Sequence, residues 1–121
     1  MFKKRLDSFR YAFAGIAELV RSQPNAMIHL SAAALVIIAG LFFGLSRMEW
    51  CAVVFAITIV IAAEAVNTAL EYLTDLISPN YHPLAGKAKD LAAGAVLISS
   101  VGAIVVGIII FLPKVIALFS F

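Results

Sequence analysis

The sequence predicts an all-α membrane protein, with an amphipathic surface helix at about 2–21 and three transmembrane helices at about 26–44, 48–73 and 90–112. Three observations predict it. Hydrophobic residues make up 64% of the 121 positions, well above the roughly half of a soluble chain. Residues 22–46 and 91–113 contain no Asp, Glu, Lys or Arg, and each exceeds the ~20 residues that cross a bilayer as a helix. A third apolar stretch, 48–73, is interrupted only by Glu49 near its start and by Glu64, Asn67 and Glu71. A chain of this length forms one domain, 1–121.

The first element is a helix but not a span. Phe2, Leu6, Phe9, Phe13, Ile16 and Val20 recur at intervals of three and four, which gathers them within about 80° of arc. Lys3, Lys4, Asp7, Arg10, Glu18 and Arg21 cover the opposite side. Basic residues facing away from a Phe-rich stripe describe a helix lying in the membrane interface. Tyr11 sits opposite that stripe; it reads equally as an aromatic ring at headgroup depth or as a ligand contact.

Pro24 with Asn25 separates this helix from the first span, because proline is tolerated in a first helical turn. Gly40 and Gly44 form a small-xxx-small pair that lets another helix approach. Ser46-Arg47-Met48-Glu49 reads as a very short turn, so the first two spans make a tight antiparallel hairpin. The second continues as a helix to about Ile77, where Ser78-Pro79-Asn80 and His82-Pro83 break it. Gly86 is expected to close this loop, with Lys87-Ala88-Lys89-Asp90 leading into the third span. That span is rich in small residues near its start, which suits close helix packing.

Charge sets the orientation. Lys3, Lys4, Arg5, Arg10 and Arg21 precede the first span, Lys87 and Lys89 lie between the second and third, and only Arg47 and Lys114 fall on the other side. The positive-inside bias therefore places the N-terminus and the second loop in the cytoplasm and the C-terminus outside. A bacterial inner membrane, crossed three times, is the expected location. Charges throughout the first twenty residues leave no uncharged stretch for a cleavable signal peptide. The lone Cys51 excludes an internal disulfide and a cysteine metal cluster. Three spans make a thin bundle with little interior, so burying Glu64, Asn67 and Glu71 calls for self-association.

Those three residues are the functional signal. Spacings of three and four place them on one helix face, and a charge at membrane depth costs about 2.5–3.5 kcal/mol on insertion scales. Glu64 lies deepest, about two turns inward from Glu71, too deep for a short side chain to snorkel. Asp75, Lys87 and Thr68 read equally as structural pairs. Phosphoryl transfer needs such parts: a carboxylate to take the proton of the attacking hydroxyl, a lysine for the phosphates, and one or two carboxylates for magnesium. No Walker loop or kinase Gly-rich loop is present, so a nucleotide site here is nonstandard.

The run EAVNTALEYLTDLISPNYHPLAGKAKDLAAGAVLIS, with SFRYAFAGI and PNAMIHL before it, resembles the prokaryotic diacylglycerol kinase family of small integral membrane lipid kinases. The resemblance covers nearly the whole chain. It implies Glu64 as catalytic base in contact with the lipid hydroxyl, with Asn67 as its polar neighbour. It implies Glu71 as the carboxylate that holds magnesium with ATP, and Tyr11, Asn80, Tyr81, His82, Lys89 and Asp90 as nucleotide contacts. Ala93 falls at a position lining the lipid substrate. The family fold is a surface helix with three spans, assembled as a homotrimer with sites shared between subunits. One departure stands out: the family's second metal-binding glutamate is matched here by Gln23, which keeps a carbonyl oxygen but not the charge that attracts a hard cation.

The expected function is thus ATP- and magnesium-dependent phosphorylation of a membrane lipid hydroxyl, either diacylglycerol to phosphatidic acid or undecaprenol to undecaprenyl phosphate. The short N-terminus and PNAMIHL lean toward undecaprenol. Competing readings are a small proton-coupled exporter, which leaves Glu71, Lys89 and Asp90 without a task, and an inactive structural relative, suggested by Gln23.

Overall fold

The computed structural model describes residues 1–120, which form four helices: α1 (Phe2–Ser22), α2 (Pro24–Phe43), α3 (Arg47–Ile77) and α4 (Pro83–Phe119). The last three are each long and apolar enough to cross a membrane. With 31 and 37 residues, α3 and α4 run about 46 and 55 Å at 1.5 Å per residue. Both exceed the ~30 Å hydrocarbon layer.

The joints follow from local chemistry. Gln23 is extended (φ −117°, ψ 108°) and its N–H donates to Leu19 O at 3.1 Å, while Pro24 opens α2. The residue before a proline is pushed out of the helical region, which fixes the break at this place. Gly44 ends α2 in the left-handed region at φ 65°, where a side chain would be strained. The connection to α3 is shorter than expected. Arg47, Met48 and Glu49 already form its first turn, because Ser46 and Glu49 make a reciprocal capping box. The Ser46 N–H donates to Glu49 Oε2 at 2.9 Å, and the Glu49 N–H donates to Ser46 Oγ at 3.2 Å.

Of the two glycines, Gly40 lets α3 approach α2, as expected, while Gly44 serves as the cap. Gly40 admits the indole of Trp50: a Cβ there would lie 2.7 Å from Trp50 Cη2. The third span also differs from expectation. Gly86 does not close the loop; it lies in the first turn of α4, its N–H bonded to His82 O at 3.0 Å. His82 caps this helix through Nδ1, which accepts from the Leu84 N–H at 3.1 Å, and Pro83 takes the first helical position. Lys87, Lys89 and Asp90 are therefore inside the helix. At its other end α4 passes through Pro113 and continues to Phe119.

The antiparallel pair α3 and α4 packs along its length, α2 lies against α3, and α1 touches both α2 and α3. Leu45, Val53 and Ile110 form a small core with Val36, Trp50 and Phe111 around it. The pairs Asp75–Lys89 and Glu49–Lys114 bridge α3 and α4 near their two ends and fix the register. Most large apolar side chains, Leu35, Phe42, Phe55 and Ile98 among them, are exposed on the single chain. Three helices enclose little, and an outward apolar surface suits helices long enough to cross a bilayer.

Candidate functional site

The site is built on the half of α3 that approaches Ile77. Val53, Val60, Glu64, Asn67 and Thr68 are its buried residues, a stripe at intervals of three, four and seven that turns one face inward. Glu64 is 1% exposed and is the largest fully buried side chain of the described residues. Neither of its carboxylate oxygens has a hydrogen-bond partner among the described residues. A carboxylate accepts only, so both oxygens lack the hydrogen-bond donor they require.

One turn on, Asn67 is 8% exposed. Its Nδ2 donates to Glu71 Oε1 at 3.3 Å, while its Oδ1 has no partner among the described residues. Glu71 is half-buried. Thr68 is structural: its hydroxyl donates to Glu64 O at 2.9 Å, within the helix. The structure thus brings Glu64, Asn67 and Glu71 into one line at increasing exposure.

Lys89 of α4 is half-buried and pairs with Asp75 of α3, so it comes to the same end of α3 as Glu71. Asp90 is exposed on the next position of α4. Asn80, Tyr81 and His82 are exposed in the α3–α4 loop; His82 spends its Nδ1 on the helix cap and Asn80 O accepts from Ser78 Oγ. Gln23 is half-buried at the α1–α2 joint, and its side chain makes no hydrogen bond among the described residues. Two expected residues are exposed on the single chain. Tyr11 is 74% exposed on α1. Ala93 is exposed, while its neighbour Ala92 is buried in the α3–α4 seam beside Asn67.

Sequence reasoning missed one link. The Tyr72 hydroxyl donates to Glu18 Oε1 at 2.8 Å, which ties α1 to α3 next to Glu71. Glu18 reads as a solvated charge on the polar side of α1, and no local spacing announces a partner 54 positions away.

No group of three or more His, Cys, Asp or Glu side chains suited to a metal occurs among the described residues. Magnesium bound with a nucleotide takes one or two protein carboxylates, with phosphates and water completing its shell. Glu71, with the unpartnered Asn67 Oδ1 a turn below it, fits that smaller demand.

A family model described as prokaryotic diacylglycerol kinase matches residues 10–111. The undecaprenol kinase of Bacillus subtilis is 43% identical over 107 residues, covering 88% of this chain and 87% of that protein. The diacylglycerol kinase of Synechocystis sp. is 39% identical over 114 residues, covering 93% of this chain and 65% of that protein. The diacylglycerol kinase of Escherichia coli K12 is 38% identical over 50 residues, 41% of each chain.

Proposed function

The chain belongs to the prokaryotic diacylglycerol kinase family, and on that premise we propose that it transfers the γ-phosphate of ATP to the hydroxyl of a membrane lipid with Glu64 as general base. It is a lipid kinase embedded in a membrane. The observation that carries the base assignment is the Glu64 carboxylate, 1% exposed and without a donor on either oxygen. A lipid alcohol supplies the missing donor from within the bilayer.

In this reading Glu64 accepts the hydroxyl proton as the lipid oxygen attacks the γ-phosphorus. The new P–O bond forms to the lipid, the bond to the β–γ bridging oxygen breaks, and ADP leaves. Asn67 holds Glu71 through its amide and lies between the two carboxylates along α3. Lys89 offers its ammonium to the nucleotide phosphates, aided by Asp90, Tyr11 and the Asn80–Tyr81–His82 loop. Glu71 holds magnesium, with Gln23 as a weaker oxygen donor. When bound, that ion neutralises charge on the transferring phosphoryl group. Ala93 faces the lipid.

The same proposal takes α1 as an amphipathic helix in the interface, with the N-terminus and the α3–α4 loop on the cytoplasmic side of a bacterial inner membrane. It takes the working unit as a homotrimer. The exposure of Tyr11 and Ala93 within one chain, where both are read as site residues, supports self-association. Undecaprenol and diacylglycerol are the candidate acceptors, named by the two relatives with the widest cover of this chain among those above. The test is direct: purified protein, γ-labelled ATP, magnesium and each lipid in turn. Label in the lipid fraction supports the reading; no transfer to any lipid overturns it.

A further inference from the structure

The surface helix α1 is fastened to the bundle near one end only. Gln23 is extended and Pro24 opens α2, which makes a joint where α1 stops. Leu19 is the one buried residue of α1, while Phe2, Leu6, Phe9, Phe13 and Ile16 are exposed. Among the described residues a single side-chain hydrogen bond runs between α1 and another helix. The Tyr72 hydroxyl donates to Glu18 Oε1 at 2.8 Å, and no ion pair joins α1 to the bundle. Tyr72 directly follows Glu71 on α3.

The face of α1 that meets Tyr72 is the face that carries Tyr11. Seven residues separate Glu18 from Tyr11, two turns that leave them about 20° apart around the axis. Phe9, Phe13, Ile16 and Val20 lie on the opposite side. In the interfacial placement proposed above, the membrane takes that apolar stripe and so fixes how α1 is rolled. The membrane leaves free the direction in which α1 swings from its joint. The hydrogen bond supplies that direction, because Glu18 lies five residues from Gln23, about 7.5 Å. Tyr11 lies twelve residues from Gln23, about 18 Å, so a displacement at Glu18 grows about 2.4-fold at Tyr11.

We propose that Tyr72 is a positioning residue for the nucleotide: its hydrogen bond to Glu18 sets the direction of α1 and thereby holds Tyr11 at the ATP site. The inference rests on the kinase reading, with Tyr11 as a nucleotide contact, and deepens it. Tyr72 touches neither ATP nor lipid in this account. It acts through Tyr11, whose contact an ångström of misplacement weakens. The bond lies within one chain, so it sets α1 in the same way whether Tyr11 completes that chain's site or a neighbouring subunit's.

Three variants separate the bond from the side chains that make it. Tyr72→Phe removes the donor, Glu18→Ala removes the acceptor, and Glu18→Gln keeps an acceptor oxygen. The swing of α1 is read without activity, by dipolar distance measurement between nitroxides on Ser8→Cys and Leu76→Cys in a Cys51→Ser background. Both labelled positions are exposed, and labelled chains are diluted among unlabelled ones. A narrow distance distribution is expected with Tyr72 and Glu18 intact and in Glu18→Gln, and a broad one in Tyr72→Phe and Glu18→Ala. In unlabelled protein, Tyr72→Phe and Glu18→Ala are each expected to raise the KM for ATP about fivefold or more. Their kcat, lipid KM and thermal midpoint stay near wild type, a split that general loosening of the fold does not give. The double variant is expected to be no worse than either single one, and Glu18→Gln to keep the wild-type KM.

A KM for ATP in Tyr72→Phe within about twofold of wild type overturns the positioning role. So does a loss confined to kcat or to the thermal midpoint, or a distance distribution as narrow as that of wild type. Glu18→Gln behaving as Glu18→Ala overturns the hydrogen bond as the cause. Wild-type protein that labels no lipid fails earlier, on the kinase reading itself, and takes this inference with it whatever the distances are.

Discussion

The buried carboxylate of Glu64 is costly to leave without a donor, since an unsatisfied buried polar group forfeits about 1–3 kcal/mol and a charged one more. Nothing among the described residues relieves that cost, whereas Glu71 is held by Asn67 and Asp75 by Lys89. We read the contrast as separating residues that serve the fold from one held for a ligand. Lys89 faces both ways, since its ion pair with Asp75 is largely exposed and such pairs contribute about 0–1 kcal/mol. Asp75→Asn is therefore expected to leave the unfolding midpoint and the KM for ATP nearly unchanged, whereas Lys89→Met raises that KM about tenfold or more. Steady-state kinetics with varied ATP check this, and equal effects of the two substitutions would make Lys89 a structural residue.

At the scale of the helices, the sequence announces what periodicity and charge can announce. Four helices, their order and the face of α3 that carries Glu64, Asn67 and Glu71 all follow from spacing, since a helix repeats on itself. The ends were harder to read. Gly86 looks like a loop residue, yet His82 and Pro83 start α4 before it, because a proline at the first position and a side-chain cap outweigh one glycine. Pro113 looks like a stop, yet α4 runs on to Phe119, as membrane helices tolerate proline where neighbours accommodate the freed carbonyl. Tyr72 to Glu18 and Trp50 to Gly40 are contacts between elements, and no local pattern encodes them. The second gives a sharp prediction. Gly40→Ala puts a methyl 2.7 Å from Trp50 Cη2, so unfolding in detergent should show a loss of about 1–3 kcal/mol. Trp50→Leu in the same chain should recover most of it, and a neutral Gly40→Ala would mean that the α2–α3 hairpin is looser than described.

At the scale of the molecule, one chain exposes apolar surface on every long helix and leaves Tyr11 and Ala93 exposed while Glu64 is buried. The proposed trimer with shared sites would bring them to Glu64 from different subunits. Inactive Tyr11→Ala and Glu64→Gln chains, mixed in denaturing detergent and reassembled together, are then expected to regain lipid phosphorylation. No recovery would confine each site to one subunit. Membership of a lipid kinase family says which reaction to look for, and we propose that the unpartnered Glu64 carboxylate marks where in the chain it takes place. The most direct test of that claim is phosphoryl transfer from γ-labelled ATP to undecaprenol or diacylglycerol by wild type and by Glu64→Gln. The account predicts that kcat falls by about 10²-fold or more in the variant, while binding of magnesium-ATP is kept. A Glu64→Gln protein that transfers phosphate at the wild-type rate would contradict it.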